Sequence, residues 1–246
     1  MALDFPNSPT LNQFFPATPL TGVPTWIWDG SEWTIPPLIP KVVTVNATGT
    51  KLYNGTAVTS LNYTGLTIAA GSNLAMVVTV HWDTTGTTPT AMTMVWDSGG
   101  ANQSLTQIVT SDPGTHSQWQ AELWGLVNPV VGNKTLSLSW TTASRMFLCS
   151  MAFDGVDQTG GTTSFPNAAS GVSIATLTIP SAPGHIVMNA GTGGTYGALT
   201  GTVIFSDSSS GTYINGYANY MPGASPSVTI GSAGVMKMAA TDIKAG

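Results

Sequence analysis

From Lys41 to Gly246 the chain falls into short apolar or alternating runs separated by Gly, Pro, Asn and Asp. No window of ten or more residues there carries helical spacing. That rhythm limits the fold more than any other feature. The runs are 42–46, 66–68, 74–82, 91–96, 104–109, 118–126, 134–140, 145–153, 172–179, 185–189, 201–205, 212–220, 227–230 and 235–239. They are rich in Thr, Val, Ile and Trp, which suit a pleated, half-buried surface. So many strands exceed an immunoglobulin domain, and a parallel sheet would need crossover helices that are missing. The expected fold is all-β, an antiparallel jelly-roll or lectin-like β-sandwich over 41–246. A possible sub-boundary lies near 158–166, and no internal repeat at a fixed period is visible.

Composition narrows the function classes. Only 7% of the 246 residues are charged, against 42% hydrophobic. That is enough apolar material for a full core, and too little charge for disorder by charge excess. Six basic against eleven acidic residues argue against electrostatic binding of nucleic acid. Cys149 stands alone, so no intrachain disulfide is available. The opening residues lack a basic region and an apolar run, and no stretch is long enough for a membrane span. Synthesis in a cytoplasm and a soluble product are the expectation.

Residues 1–40 differ from the rest. Eight of the sixteen prolines lie here, so neither a helix nor a central strand is expected, but an extended arm lying along another surface. Within it, Trp26-Ile27-Trp28-Asp29-Gly30-Ser31-Glu32-Trp33-Thr34 reads as a hairpin over 25–34. A two-residue turn at Asp29-Gly30 would set Trp28 opposite Ser31 and Trp26 opposite Trp33. Pro36-Pro37-Leu38-Ile39-Pro40 then acts as a stiff spacer.

Candidate chemistry is sparse. Gln118, Gln120, Glu122 and Trp124 alternate on one strand face and form a possible sugar platform, or else an ordinary solvated face. His81, Asp83 and Asp97 could meet at a sheet end, though a hydrogen-bonded surface histidine explains His81 more simply. Asp154-Gly155-Val156-Asp157 offers oxygen ligands, yet Asp-Gly is also turn chemistry. Cys149 alternates with Phe147, Met151 and Phe153 and reads as a packed small hydrophobe. No nucleophile elbow, phosphate loop or dinucleotide fingerprint is present. The residues favour no enzyme, no catalytic or metal site and no cofactor.

The arm carries a resemblance. Leu3-Asp4-Phe5-Pro6-Asn7-Ser8-Pro9-Thr10, followed by the Trp26–Trp33 stretch, resembles an "FPxxPT…WxWDGxxW" module at the start of tailed-bacteriophage virion accessory proteins. Gly125-Leu126-Val127-Asn128-Pro129 and Gly155-Val156-Asp157-Gln158-Thr159 look like parts of a β domain of phage and prophage proteins. The resemblance implies a virion structural protein attached through Phe5, Pro6, Pro9, Trp26, Trp28 and Trp33, with the sandwich displayed on the particle surface. Its partners would be other phage virion proteins, of capsid or tail. Copies of itself are expected too, with a trimer favoured. A tail fibre or spike would bind host-surface glycan, and the alternative is a capsid decoration or head-fibre protein. From outside that class come a free lectin module and a polysaccharide depolymerase using Glu122.

Overall fold

A computed structural model describes residues 5–17, 25–34, 41–83, 89, 91–111, 119–193, 197–207 and 215–246. The chain divides into two compact units, Met1–Pro40 and Lys41–Gly246. The proline-rich segments 18–24 and 35–40 lie outside the described residues, as does Gln118.

What is described of the first unit is a small antiparallel sheet. Its strands are β1 (Phe14–Phe15), β2 (Trp26–Trp28) and β3 (Trp33–Thr34), in the order β1-β2-β3. The expected hairpin forms in a different register, with Trp28 opposite Trp33 and Ile27 opposite Thr34. The cause is Asp29. Its carboxylate accepts the Ser31 and Glu32 N–H groups at 2.7 and 2.8 Å and closes a longer loop than a two-residue turn. A slip of two residues leaves every side chain on its expected face, whereas a slip of one would have reversed them.

The second unit is all-β, as its rhythm requires. Its strands are β4 (Thr44–Thr48), β5 (Leu52–Tyr63), β6 (Thr67–Ile68), β7 (Ala75–Asp83), β8 (Thr93–Trp96), β9 (Gln103–Ser104) and β10 (Thr106–Thr110). Then come β11 (Trp119–Val127), β12 (Gly132–Asn133), β13 (Leu136–Asp154) and a single helical turn α1 (Gly161–Ser164). The chain ends with β14 (Ala169–Pro180), β15 (Ile186–Thr192), β16 (Thr202–Asp207), β17 (Gly216–Pro222) and β18 (Ser227–Ile243). A first sheet runs β10-β11-β7-β13-β8-β9, with β4 and β5 also on β13. A second runs β14-β18-β15-β17-β16.

The two sheets face each other across an apolar layer. Ala75, Val77, Leu123, Met151 and Phe153 of the first meet Ile186, Met188, Ala190, Ala239 and Ile243 of the second. The first sheet is buried on its other side as well. Met76, Val78, Val80 and Trp82 of β7 point away from the second sheet, into a cluster with Met94, Trp96, Trp124, Leu136 and Trp140. This follows from β13, whose 145–153 part pairs with β7 while its 136–139 part pairs with β8. The strand bends through 140–144, and the sheet curls over its own outer face.

The two sheets share one connectivity. Chain order β5, β7, β10, β11, β13 gives the path β10-β11-β7-β13-β5, and β14, β15, β16, β17, β18 gives β16-β17-β15-β18-β14. Each centres on one long strand, of 19 and 17 residues, whose pairing register shifts partway. The triplet Leu66-Thr67-Ile68 precedes Ala75 at the same spacing as Leu177-Thr178-Ile179 precedes Ile186. Topology therefore repeats where sequence hardly does. The β8–β9 hairpin is an addition to the first copy.

Candidate functional site

The first unit's two motif halves meet in one aromatic cluster. Strand alternation sets Phe15, Trp26, Trp28 and Trp33 on a single face, since Phe15 pairs with Trp26 and Trp28 with Trp33. Phe5 lies over that face. Its ring stacks on Trp33 at 5.3 Å and meets Trp26 edge-on at 5.5 Å and Phe15 at 4.9 Å. Trp28 and Trp33 stand 5.7 Å apart. Pro6 and Pro9 are half-buried beside Phe5 in the chain, and the three indoles are half-buried too. Backbone bonds fix the lead-in: Asn12 N–H donates to the Trp28 carbonyl at 2.9 Å, and Trp28 N–H to that of Gln13 at 3.0 Å. At the loop, the Glu32 and Ser31 N–H groups hold the Asp29 carboxyl below the usual carboxylate range. Phe14 and Leu11, 50% and 65% exposed, stay in solvent.

The expected sugar platform is placed elsewhere than its alternation suggests. Gln120, Glu122 and Trp124 do share a face, but it is the inner face of the curled first sheet, where they are 2%, 6% and 7% exposed. Trp124 packs into the cluster with Trp82 and Trp96 and donates its indole N–H to Glu122 at 2.8 Å. A polar strand face reads as solvated only when nothing covers it, and here the β13 bend does. The exposed indole of this strand is Trp119, one position from the expected parity, resting over Gly193.

Of the remaining candidates, the Asp83 side chain lies outside what is described, and the others are packed or paired. His81 is wholly buried rather than at the surface. It stacks on Phe147 at 4.4 Å and meets Phe205 edge-on at 5.2 Å, with neither ring nitrogen hydrogen-bonded. Burial pushes its pKa down to about 3; the Gly191 carbonyl pulls weakly the other way, without hydrogen-bond geometry. Asp97 caps its own turn through the Ala101 N–H and pairs with Lys134. Asp154 accepts from Asn46 and from the Ser72 N–H, and Asp157 from the Thr159 N–H and Lys244. The Thr159 contacts and Lys244 hold the Asp157 carboxyl down at about 2. These carboxylates tie loops together. Cys149 is buried beside Phe147, and burial raises its thiol to about 12, which disfavours the thiolate. Among the described residues no three His, Cys, Asp or Glu side chains gather as a metal site, and no helix is long and apolar enough to cross a membrane.

Among the described residues, a groove of about 530 Å3, large enough for a ligand, lies beside β10 and β11. Its floor is Ile108, Leu126, Val127 and Phe165, and its exposed rim is Ser104, Thr106, Gln107, Thr162 and Asn167. Gly125 shapes it. A Cβ there would stand 2.6 Å from the Phe165 ring and 2.8 Å from Ile108, so the missing side chain lets Phe165 seat against the sheet. A lone glycine among large strand residues was the sequence signal for this close approach. The lining holds no Asp, Glu, Lys, Arg, His or Cys; its polar groups are the hydroxyls of Ser104, Thr106 and Thr162 and the amides of Gln107 and Asn167. Comparison of the chain with protein-family models, curated proteins and solved structures finds no match.

Proposed function

We propose that this chain is a non-enzymatic structural protein of a bacteriophage virion, with Met1–Pro40 as its attachment module and Lys41–Gly246 displayed on the particle surface. One observation carries the reading. Phe5 of the first motif half and Trp26 and Trp33 of the second, far apart in sequence, pack as one aromatic cluster. Half-buried indoles on a sheet this small make good anchors, because such a sheet is marginal alone and gains from a neighbouring surface. Between the two virion roles, burial of Gln120, Glu122 and Trp124 removes the platform that favoured receptor binding, and shell decoration becomes the better reading. It also weakens the depolymerase alternative, since Glu122 lies inside the first sheet, bonded to Trp124.

Particles purified from a producing host and probed with gold-tagged antibody against residues 41–246 test this. Label over the capsid is the expected result, and label at the tail tip would restore the fibre reading. Particles without label would overturn the proposal. A Trp26→Ala, Trp33→Ala variant should be made in normal amount yet be depleted at least about tenfold from particles.

A further inference from the structure

An asparagine followed by glycine is open to attack by its own backbone, because glycine carries no side chain to shield the following nitrogen. The chain has two such pairs, Asn54-Gly55 and Asn215-Gly216. The fold treats them differently. Gly216 is buried and pairs with Thr192 on one side and Asp207 on the other. The Asn215 carbonyl accepts from the Gly193 N–H at 2.9 Å and from the Thr192 hydroxyl at 3.1 Å. A Cβ on Gly216 would stand 2.6 Å from the Phe147 ring, so the backbone there has no room to turn.

Asn54-Gly55 is held far less. It lies in β5, whose pairing with β13 slips at this point. Asn54 pairs with Met146, and the next paired residue is Val58, with Ser144. Gly55, Thr56 and Ala57 have no place in that register, and all three are exposed to water. The Thr56 N–H donates to Asn54 Oδ1 at 3.2 Å, which turns the side chain along its own backbone. The same bond polarises the side-chain carbonyl, and it is aimed at the oxygen on which charge develops when the carbon is attacked.

We infer that Asn54 is a site of spontaneous deamidation, by which the chain places a carboxylate on an uncharged sheet edge. The Gly55 nitrogen loses its proton and bonds to Asn54 Cγ. The Cγ–Nδ2 bond breaks, ammonia leaves, and a succinimide ring closes. Water then opens the ring: cleavage at Cγ gives aspartate, and cleavage at the main-chain carbonyl gives isoaspartate, with a methylene added to the backbone. That methylene falls in the slipped stretch, where no ladder pair has to break. Among the described residues β5 has β13 on one side and no strand on the other, and none of its twelve residues is charged. Charge is what commonly guards such an edge against pairing with another chain.

Peptide mapping by mass spectrometry of the full chain, aged at neutral pH, tests this. The same chain in urea supplies the reference in which neither pair is protected. In the folded chain Asn54 should convert at least about tenfold faster than Asn215, with isoaspartate among the products and a more acidic band on isoelectric focusing. Gly55→Ala should slow conversion at Asn54 at least about tenfold. A Cβ there meets only the ring of Tyr53, from 3.0 Å, and that side chain is exposed and able to move. Should the variant misfold, the folded wild type decides alone. Asn54 protected in the folded chain as fully as Asn215 would overturn the inference, as would a folded Gly55→Ala that converts like wild type.

Discussion

His81 is a buried base held neutral, and that makes it a point of acid sensitivity. Its ring lies against Phe147 and Phe205, between the two sheets, with neither nitrogen hydrogen-bonded, so a proton there would sit in an apolar layer. The unfolded imidazole titrates near 6.5 and the native one near 3. Between those values the unfolded chain binds one proton more than the native chain. Stability from this residue is therefore complete above pH 6.5 and is lost as pH falls toward 3, at about 1.4 kcal/mol per unit. Urea unfolding at pH 7 and pH 5 should differ by about 2 kcal/mol in wild type. His81→Leu should be nearly flat over that range. Parallel losses in the two proteins would show that some other group is responsible.

Among elements, two glycines hold the chain as it enters the sandwich. Gly155 follows β13 at φ +75°, and a Cβ there would meet the Val42 carbonyl oxygen at 2.4 Å. Gly184 precedes β15 at φ +90° and stands in the same relation to the Lys41 carbonyl. Gly99 has a similar φ of +86°, with nothing within 4 Å of its would-be Cβ. Gly99→Ala should therefore cost only backbone strain, about 1 kcal/mol, while Gly155→Ala also displaces a backbone and should cost about 2–3 kcal/mol. Denaturant midpoints of the two variants check the difference. The same elements show what the sequence could and could not reveal. Runs 134–140 and 145–153 are one strand, as are 227–230 and 235–239, because Thr141–Ser144 and Gly231–Gly234 bend the backbone without ending its pairing partner's path. β5 does not stand out in the sequence because Asn54-Gly55 reads as a turn and Thr56, Thr59, Ser60 and Asn62 break up its apolar residues. The parity of Gln120, Glu122 and Trp124 was legible. The layer that covers them was not, since alternation says which residues share a face and nothing about what lies over it.

For the molecule as a whole, stability rests on the layer between the two sheets. Phe153 is fully buried there, beside Met151 and across from Ile186 and Met188. Phe153→Ala should lower the free energy of unfolding by about 3–5 kcal/mol, and calorimetry should still show one transition, because both sheets lose the same packing. Separate transitions for the two sheets would mean that each is stable alone. A last consequence concerns where the sandwich is held. Val43 N–H donates to the Gly184 carbonyl at 2.7 Å, and Gly246 N–H donates to the carbonyl of Gly155, the residue pressed against Val42. Residues 41 and 246 thus leave the fold within one small neighbourhood. Tension applied between them would enter and exit there, straining a handful of closing bonds while the long ladders of β7, β13, β15 and β18 stay slack.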